Sequence, residues 1–317
     1  MVDFKIIANN KDVTEIISKN LISLSLIDEI GISADEVTIK VKNSFKRPKY
    51  GDELKVFIQG KYYGIYIVQT TTKTQSDLTI KATATNFTNS LKKKYNRSFE
   101  NIKVCELISK LASENNLEYK CDVDFTYKHL AQTDESDLNL LVRLAKELNA
   151  QFNIKNNKII FIKTKQENEN LPKFNIDIKE AINYSIKYNA KTIYNSVKAT
   201  YHDTKENRQK EVIYGNGEPQ FVIQDSFKNE AEAYKRAKSY FEMLNKGSVT
   251  GNITIAGKEI RAGGILVLNG FGEDDGEYSI KRVTHNLSSS GYTVRVEFEK
   301  WLNYRTYILF FWIKFEF

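Results

Sequence analysis

Through the first ninety residues, apolar and polar side chains alternate in short runs. Residues 2–8 open the series, residues 21–27 set Leu and Ile against Ser, and residues 36–41, 53–59, 62–71 and 78–85 repeat the pattern. A period of two puts one face of each run into a core and the other into solvent. Asn9-Asn10, Gly31, Pro48, Gly51 and Gly60 separate the runs with turn-forming residues. Short strands at this spacing predict a barrel or sandwich.

The period then changes. Ile102, Cys105, Ile108, Leu111 and Ala112 fall at helical spacing, with Asn101 as the expected N-cap. Leu138, Leu141, Val142, Ala145 and Leu148 predict a second helix over 135–149, capped by Asp134, with Asp137 facing the helix dipole. Residues 151–154 and 158–163 flank Asn156-Asn157, a hairpin signal. Residues 164–173 are polar and read as a linker or exposed loop. Strands resume near 182–202 and 211–224. A helix follows over 230–245, opened by Asn229 and Glu232 and ended by Gly247. Four further runs, 249–256, 265–271, 278–288 and 292–299, are separated by Gly257, Gly263-Gly264, Asp274-Asp275-Gly276 and Ser290-Gly291.

The two strand-rich parts echo each other at a displacement of 212 residues. Gly51, Gly60 and Gly64 fall on Gly263, Gly272 and Gly276; Leu54, Val56, Tyr66, Val68 and Thr72 fall on Leu266, Leu268, Tyr278, Ile280 and Thr284. Both copies read strand, glycine turn, strand. The expected architecture is mainly β with an α+β insertion: two related, tube-like β-barrel domains (1–92 and 166–300, the second with one helix), a small α/β domain (93–165) and an aromatic C-terminal tail (301–317).

Composition narrows the chemistry. The chain has 47 basic and 40 acidic residues, a net charge of +7. The basic residues are spread evenly: residues 1–92 and 93–165 each carry 13 basic and 10 acidic side chains. A nucleic-acid binder concentrates its charge on one face, so a solvated, Lys-rich surface is expected. The sharpest charge run, Lys92-Lys93-Lys94-Tyr95-Asn96-Arg97, reads as a solvated linker, with contact to a neighbouring subunit as the alternative. Cys105 and Cys121 are read as two reduced core thiols, too few for a four-cysteine metal site. No signal peptide and no apolar run of ~18–20 residues is read, which implies synthesis in a reducing cytoplasm and no direct membrane anchor.

His129, His202 and His285 lie far apart and lack metal-ligand spacing, and His285 reads as a hydrogen-bonded structural histidine. The acidic pairs Asp28-Glu29, Asp35-Glu36, Asp52-Glu53, Asp134-Glu135 and Asp274-Asp275 read as turn residues. Neither a nucleophile elbow nor a phosphate loop occurs. No catalytic, cofactor-binding or metal-ligating residue is singled out.

Three passages carry a resemblance: Ser98-Phe99-Glu100-Asn101-Ile102; Gln132-Thr133-Asp134-Glu135-Ser136-Asp137-Leu138 with Leu141-Val142-Arg143-Leu144-Ala145; and Ile260-Arg261-Ala262-Gly263-Gly264 with Gly276-Glu277-Tyr278, His285 and Gly291-Tyr292-Thr293. Their order and spacing resemble the late control protein D family of contractile-tailed phages, baseplate hubs similar in fold to the base of type VI secretion spike proteins. The resemblance implies a homotrimer without catalysis or cofactors, a collar that adapts the sixfold tail tube to the threefold central spike. The partners implied are the spike, the tail tube protein, and baseplate wedge and tape-measure proteins, with DNA only as passing cargo. It implies a place in the baseplate of a virion or tail particle, assembled in the bacterial host cytoplasm. The aromatic tail departs from the family pattern: it either packs on the trimer or spike, or reflects an altered reading frame. The alternatives are the hub of a bacteriocin-like or secretion particle, a cell-wall hydrolase, and a carbohydrate- or nucleic-acid-binding module.

Overall fold

A computed structural model describes residues 3–30, 35–84, 91–148, 150–155, 157–163, 171–189, 194–203, 206–227, 229–245 and 248–300. Gly31, Thr85, Asn156, most of the expected linker, Gly247 and the aromatic tail lie outside these residues.

The first alternating runs become β1 (Phe4–Ala8), β2 (Lys11–Asp12), β3 (Leu21–Glu29), β4 (Glu36–Lys42), β5 (Glu53–Ile58), β6 (Lys61–Lys73) and β7 (Asp77–Thr83), with a short helix α1 (Thr14–Asn20) before β3. Leu24, Leu26, Val37, Ile39, Val41, Val56, Tyr66 and Leu78 fill their core. Helix α1 escapes the periodicity because it is seven residues long and buries only Ile17.

The middle of the chain holds β8 (Lys94–Lys103), α2 (Val104–Glu114), β9 (Glu118–Cys121), β10 (Thr126–Ser136), α3 (Asp137–Glu147), β11 (Ala150–Lys155) and β12 (Lys158–Lys163). Strands β11 and β12 form the expected hairpin. Several expectations need correction. The charged run at 92–97 is no linker: it enters β8, which pairs along its length with β10. That ribbon is exposed along much of both faces, so no apolar alternation marks it. Asn101 sits within β8 at φ 48° and Asp134 within β10 at φ 46°. The residues at the N-caps are Lys103 and Ser136, and the Ser136 hydroxyl accepts from the Asn139 amide at 3.2 Å. Cys105 and Cys121 are not free thiols. The first turn of α2 crosses β9 with their Cα atoms 5.5 Å apart, and the two form a disulfide, a separation that suits the bridge.

The last part holds β13 (Lys173–Asp177), β14 (Ala181–Tyr188), β15 (Ser196–Asp203), β16 (Arg208–Gly215), β17 (Gln220–Phe227), α3's successor α4 (Glu230–Leu244), β18 (Val249–Ala256), β19 (Ile265–Asn269), β20 (Gly276–Ser288) and β21 (Gly291–Lys300). Asn229 caps α4 by accepting from the Glu232 amide at 2.9 Å. The described residues of 166–300 form two cores rather than one. Ile176, Ile253, Leu266, Tyr278, Val294 and Phe298 fill a barrel-like core. Val197, Ala199, Ala233, Ala237 and Phe241 fill a separate layer, in which α4 covers the sheet β16-β15-β17.

The sequence echo corresponds to one topology used twice. The orders β5-β6-β7-β4-β3 and β19-β20-β21-β18-β14 match strand for strand. Leu54 lies opposite Tyr66 as Leu266 lies opposite Tyr278. The Gly51 amide donates to the Val68 carbonyl at 3.0 Å, and the Gly263 amide to Ile280 at 2.9 Å. Gly51 and Gly263 share φ values of 85° and 84°, a region open to glycine. The irregularity between Val68 and Thr70 recurs between Ile280 and Arg282, and that between Leu21 and Ser23 recurs between Ala181 and Asn183. The constant displacement holds only from β5 through β6. Elsewhere the longer β20–β21 hairpin and the layer inserted between β14 and β18 break it.

Candidate functional site

The structure gathers polar and aromatic groups at the junction where the two halves meet. β20 pairs antiparallel with β3, from Arg282 opposite Glu29 to Ser288 opposite Ser23, so both halves share one continuous sheet. Leu287 packs into the first core. The Arg282 guanidinium donates twice to Glu29 Oε2, at 2.9 and 2.7 Å. Arg261 lies 3.5 Å from the Tyr63 ring centroid and donates to the Tyr62 carbonyl at 2.9 Å, a cation–π contact combined with a cross-half hydrogen bond.

His285 is fully buried in this junction. Its Nε2 faces the Ile260 carbonyl at 3.2 Å, which can only accept, so Nε2 carries the proton and Nδ1 accepts from the Tyr292 hydroxyl at 2.7 Å. Burial pushes its pKa down to about 4, which keeps the ring neutral. The expected structural role of His285 agrees with this geometry. His129 lies elsewhere, on exposed β10, with Nδ1 2.6 Å from Glu100. His202 lies on β15.

Asp28 and Glu29, expected at or next to a turn or element end as turn residues, stand at the end of β3, where they are buried rather than solvated. Asp28 and Asp35 both pair with Lys155 of β11, and Asp28 also accepts from the Ala262 amide at 3.0 Å. One carboxylate therefore ties the first half to both the middle unit and the second half. Burial, with Asp28 beside it, pushes Asp35 up to about 6 even though Lys155 lies against it. The Asn153 side chain adds a bond to the Glu29 carbonyl.

The 132–145 motif has a structural explanation too. Arg143 grips Glu135 through Nε and Nη2 at 3.0 and 2.8 Å. Asp137, almost fully buried, accepts from Arg97, from Gln132 at 2.9 Å and from Asn115 at 3.2 Å. A buried carboxylate demands such partners, which accounts for the polar side chains gathered around Asp137. Sequence reasoning named Arg97 and Arg261 only within longer runs and passed over Lys155, because Asp137, the Tyr62 carbonyl and Asp28, which they meet here, lie 40, 199 and 127 residues away. Among the described residues, no three His, Cys, Asp or Glu side chains converge as a metal-holding group, and no helix is long and apolar enough to cross a membrane.

The remaining surface of interest is the sheet itself. One face covers the two cores; the other presents Ser23, Ser25, Thr38, Asn252, Thr284 and Asn286, residues whose chain neighbours point into the cores, with Lys81, Glu297 and Arg295 opposite Thr38, Asn252 and Thr284. At one end lies β14, which pairs only with β18 among the described strands. Its side chains Ile182 and Tyr184 are 60% and 48% exposed.

No protein-family model matches the chain. It is homologous to the probable baseplate hub proteins of Escherichia phage P2, at 22% identity over 94% of this chain and 92% of the relative, and of Escherichia phage 186, at 23% over 93% and 92%. Its fold resembles that of a tail protein from Neisseria meningitidis (TM-score 0.71, 12% identity, 94% and 96% of the two chains). It also resembles the 43 kDa tail protein of a Shewanella oneidensis prophage (TM-score 0.69, 12% identity, 94% and 98%). An Escherichia coli component of the type VI secretion system shares the fold at a TM-score of 0.57, with 10% identity and 90% and 74% covered.

Proposed function

We propose that this chain, a homologue of the P2 and 186 baseplate hub proteins, is the baseplate hub of a contractile phage-type tail and works by shape rather than by catalysis. Three copies form a collar that seats the central spike on one side and meets the tail tube on the other. The division into 1–92, 93–165 and 166–300 belongs to the same proposal, as do contacts with wedge and tape-measure proteins and assembly in the host cytoplasm.

The observation that carries this reading is the repeated topology. Two halves of equal fold lie side by side in one sheet, so three chains present six near-equal units to a sixfold ring while remaining threefold themselves. The solvent-facing side of the sheet mixes hydroxyl and amide side chains with charges of both signs, Lys81, Arg295 and Glu297 among them, and would line a bore that DNA or tape protein passes.

The test is the native mass of the purified protein, alone and with its spike. A species of three chains is expected. A monomer or dimer under both conditions overturns the proposal. The likeness to the type VI secretion component supports a second reading, the hub of a secretion or bacteriocin-like particle; capsid genes beside this gene would exclude it.

A further inference from the structure

The seam inside the chain has a counterpart that the single chain leaves open. β3 corresponds to β14, since Leu24 opposite Ile39 matches Tyr184 opposite Ile253, and Ser25 opposite Thr38 matches Ser185 opposite Asn252. β20 corresponds to β6 through Gly276 and Gly64, Tyr278 and Tyr66, and the shared irregularity after Ile280 and Val68. Within the chain, β3 pairs with β20. The matching pair, β14 with β6, does not form within one chain. β14 ends the sheet, and residues 70–73 of β6 have β7 on one side and no strand on the other among the described residues.

We propose that β14 of one copy pairs antiparallel with residues 70–73 of β6 in a second copy, in the register of the internal seam. Thr284 opposite Ile27 and His285 opposite Leu26 translate into Thr72 opposite Lys187 and Lys73 opposite Ile186 of the neighbour. The inference rests on the trimeric reading above and adds the surface and the register that build it. Continuity of one sheet favours a second copy as the occupant: the same backbone pairing already joins the two halves. Side-chain exposure points the same way. Leu26 and Asp28 are buried at the internal seam, whereas their counterparts Ile186 and Tyr188 are partly exposed, Tyr188 by 46%. An uncovered edge strand with apolar side chains is a template for strand addition. The contact is head-to-tail, so it closes into a ring when the rotation per copy divides the circle.

Opposed residues of antiparallel strands lie about 4.5–5.5 Å apart, within disulfide reach. A chain carrying Thr72→Cys and Lys187→Cys, oxidised after assembly, is expected to give covalent trimers in non-reducing gels. The out-of-register pair Thr72→Cys with Asn183→Cys should give roughly ten-fold less. Hydrogen exchange on the unaltered protein provides the second measurement. Amides of 186–189 and 70–73 that face the new seam should slow by at least about ten-fold on assembly, while those of the edge strand β16 stay unchanged. Trimers by native mass with no protection at these amides, or with stronger cross-linking out of register, overturn the seam and leave the trimer standing. A protein that stays monomeric with its spike overturns both.

Discussion

β3 and β14 occupy equivalent places in the two halves, with the same irregularity at the same position, yet their surroundings differ. β3 lies between β4 and β20, and Leu24 and Leu26 are fully buried. Among the described strands, β14 has only β18 beside it, and Ile182 and Tyr184 reach solvent. The interiors differ as well. Val37 faces Ala82 in the first half, and at the matching place Gly251 faces Phe298. The pair holds comparable volume, moved from one strand to the other. The repeat thus keeps backbone register while redistributing side-chain bulk, because register is set by hydrogen bonding and turn geometry and volume by local packing.

The largest expected effect breaks the comparison at the edge strand. Leu26→Ala should cost about 3 kcal/mol of stability, as for a fully buried leucine. Ile186→Ala at the matching place should cost about 1 kcal/mol or less in the isolated chain, because it is only partly covered. Denaturant midpoints of the two variants measure the gap, and equal losses would contradict the contrast. The interior swap comes next. A Cβ at Gly251 would meet the Phe298 ring at 2.5 Å and the Ser185 carbonyl at 2.8 Å. Gly251→Val alone should cost about 2 kcal/mol through overpacking. In a Phe298→Ala background, it should cost much less. A double-mutant cycle reads that coupling.

Of similar or smaller size is the pH response of the junction. His285 titrates near 4 in the folded chain, below its ordinary 6.5, so the unfolded chain takes up the proton first. Stability from the neutral ring is present above about pH 6.5 and is lost as pH falls toward 4, on the order of 2 kcal/mol. Asp35, raised to about 6 from 3.8, acts with the opposite sign and loses stability as pH rises across that interval. Comparing wild type with His285→Gln at pH 4.5 and 7 cancels the Asp35 contribution. A slope unchanged by the substitution would remove His285 as its source. The smallest effect tests the likeness itself. Gly51→Ala and Gly263→Ala should each cost about 1 kcal/mol, because both positions hold the same positive φ. Gly263→Ala should cost slightly more, since the new methyl meets Ile30 at 3.3 Å.

Much of the fold was legible where one face is buried and the other wet. The alternation of β3 to β7 and the stripes of α2, α3 and α4 appear close to where the periods put them. The β8–β10 ribbon was not legible, because a strand exposed on both faces carries no alternation. Asn101 and Asp134 read as helix caps because both residue types favour caps, but the same residue types also tolerate positive φ, and that is the conformation they adopt within the ribbon. The disulfide was missed for a related reason: two cysteines in sequence do not reveal that a helix turn crosses a strand.

By itself, the sequence determined the strand-rich halves, their shared glycine turns and the place of the helical unit, because these follow from local periodicity and backbone conformation. Only the tertiary structure decided which strand edges meet. Hydrogen-bonded edges such as β3 with β20 join residues more than 250 positions apart, and no local pattern records that choice. The same holds for Asp28, whose role depends on Lys155 and Ala262 arriving from two other parts of the chain.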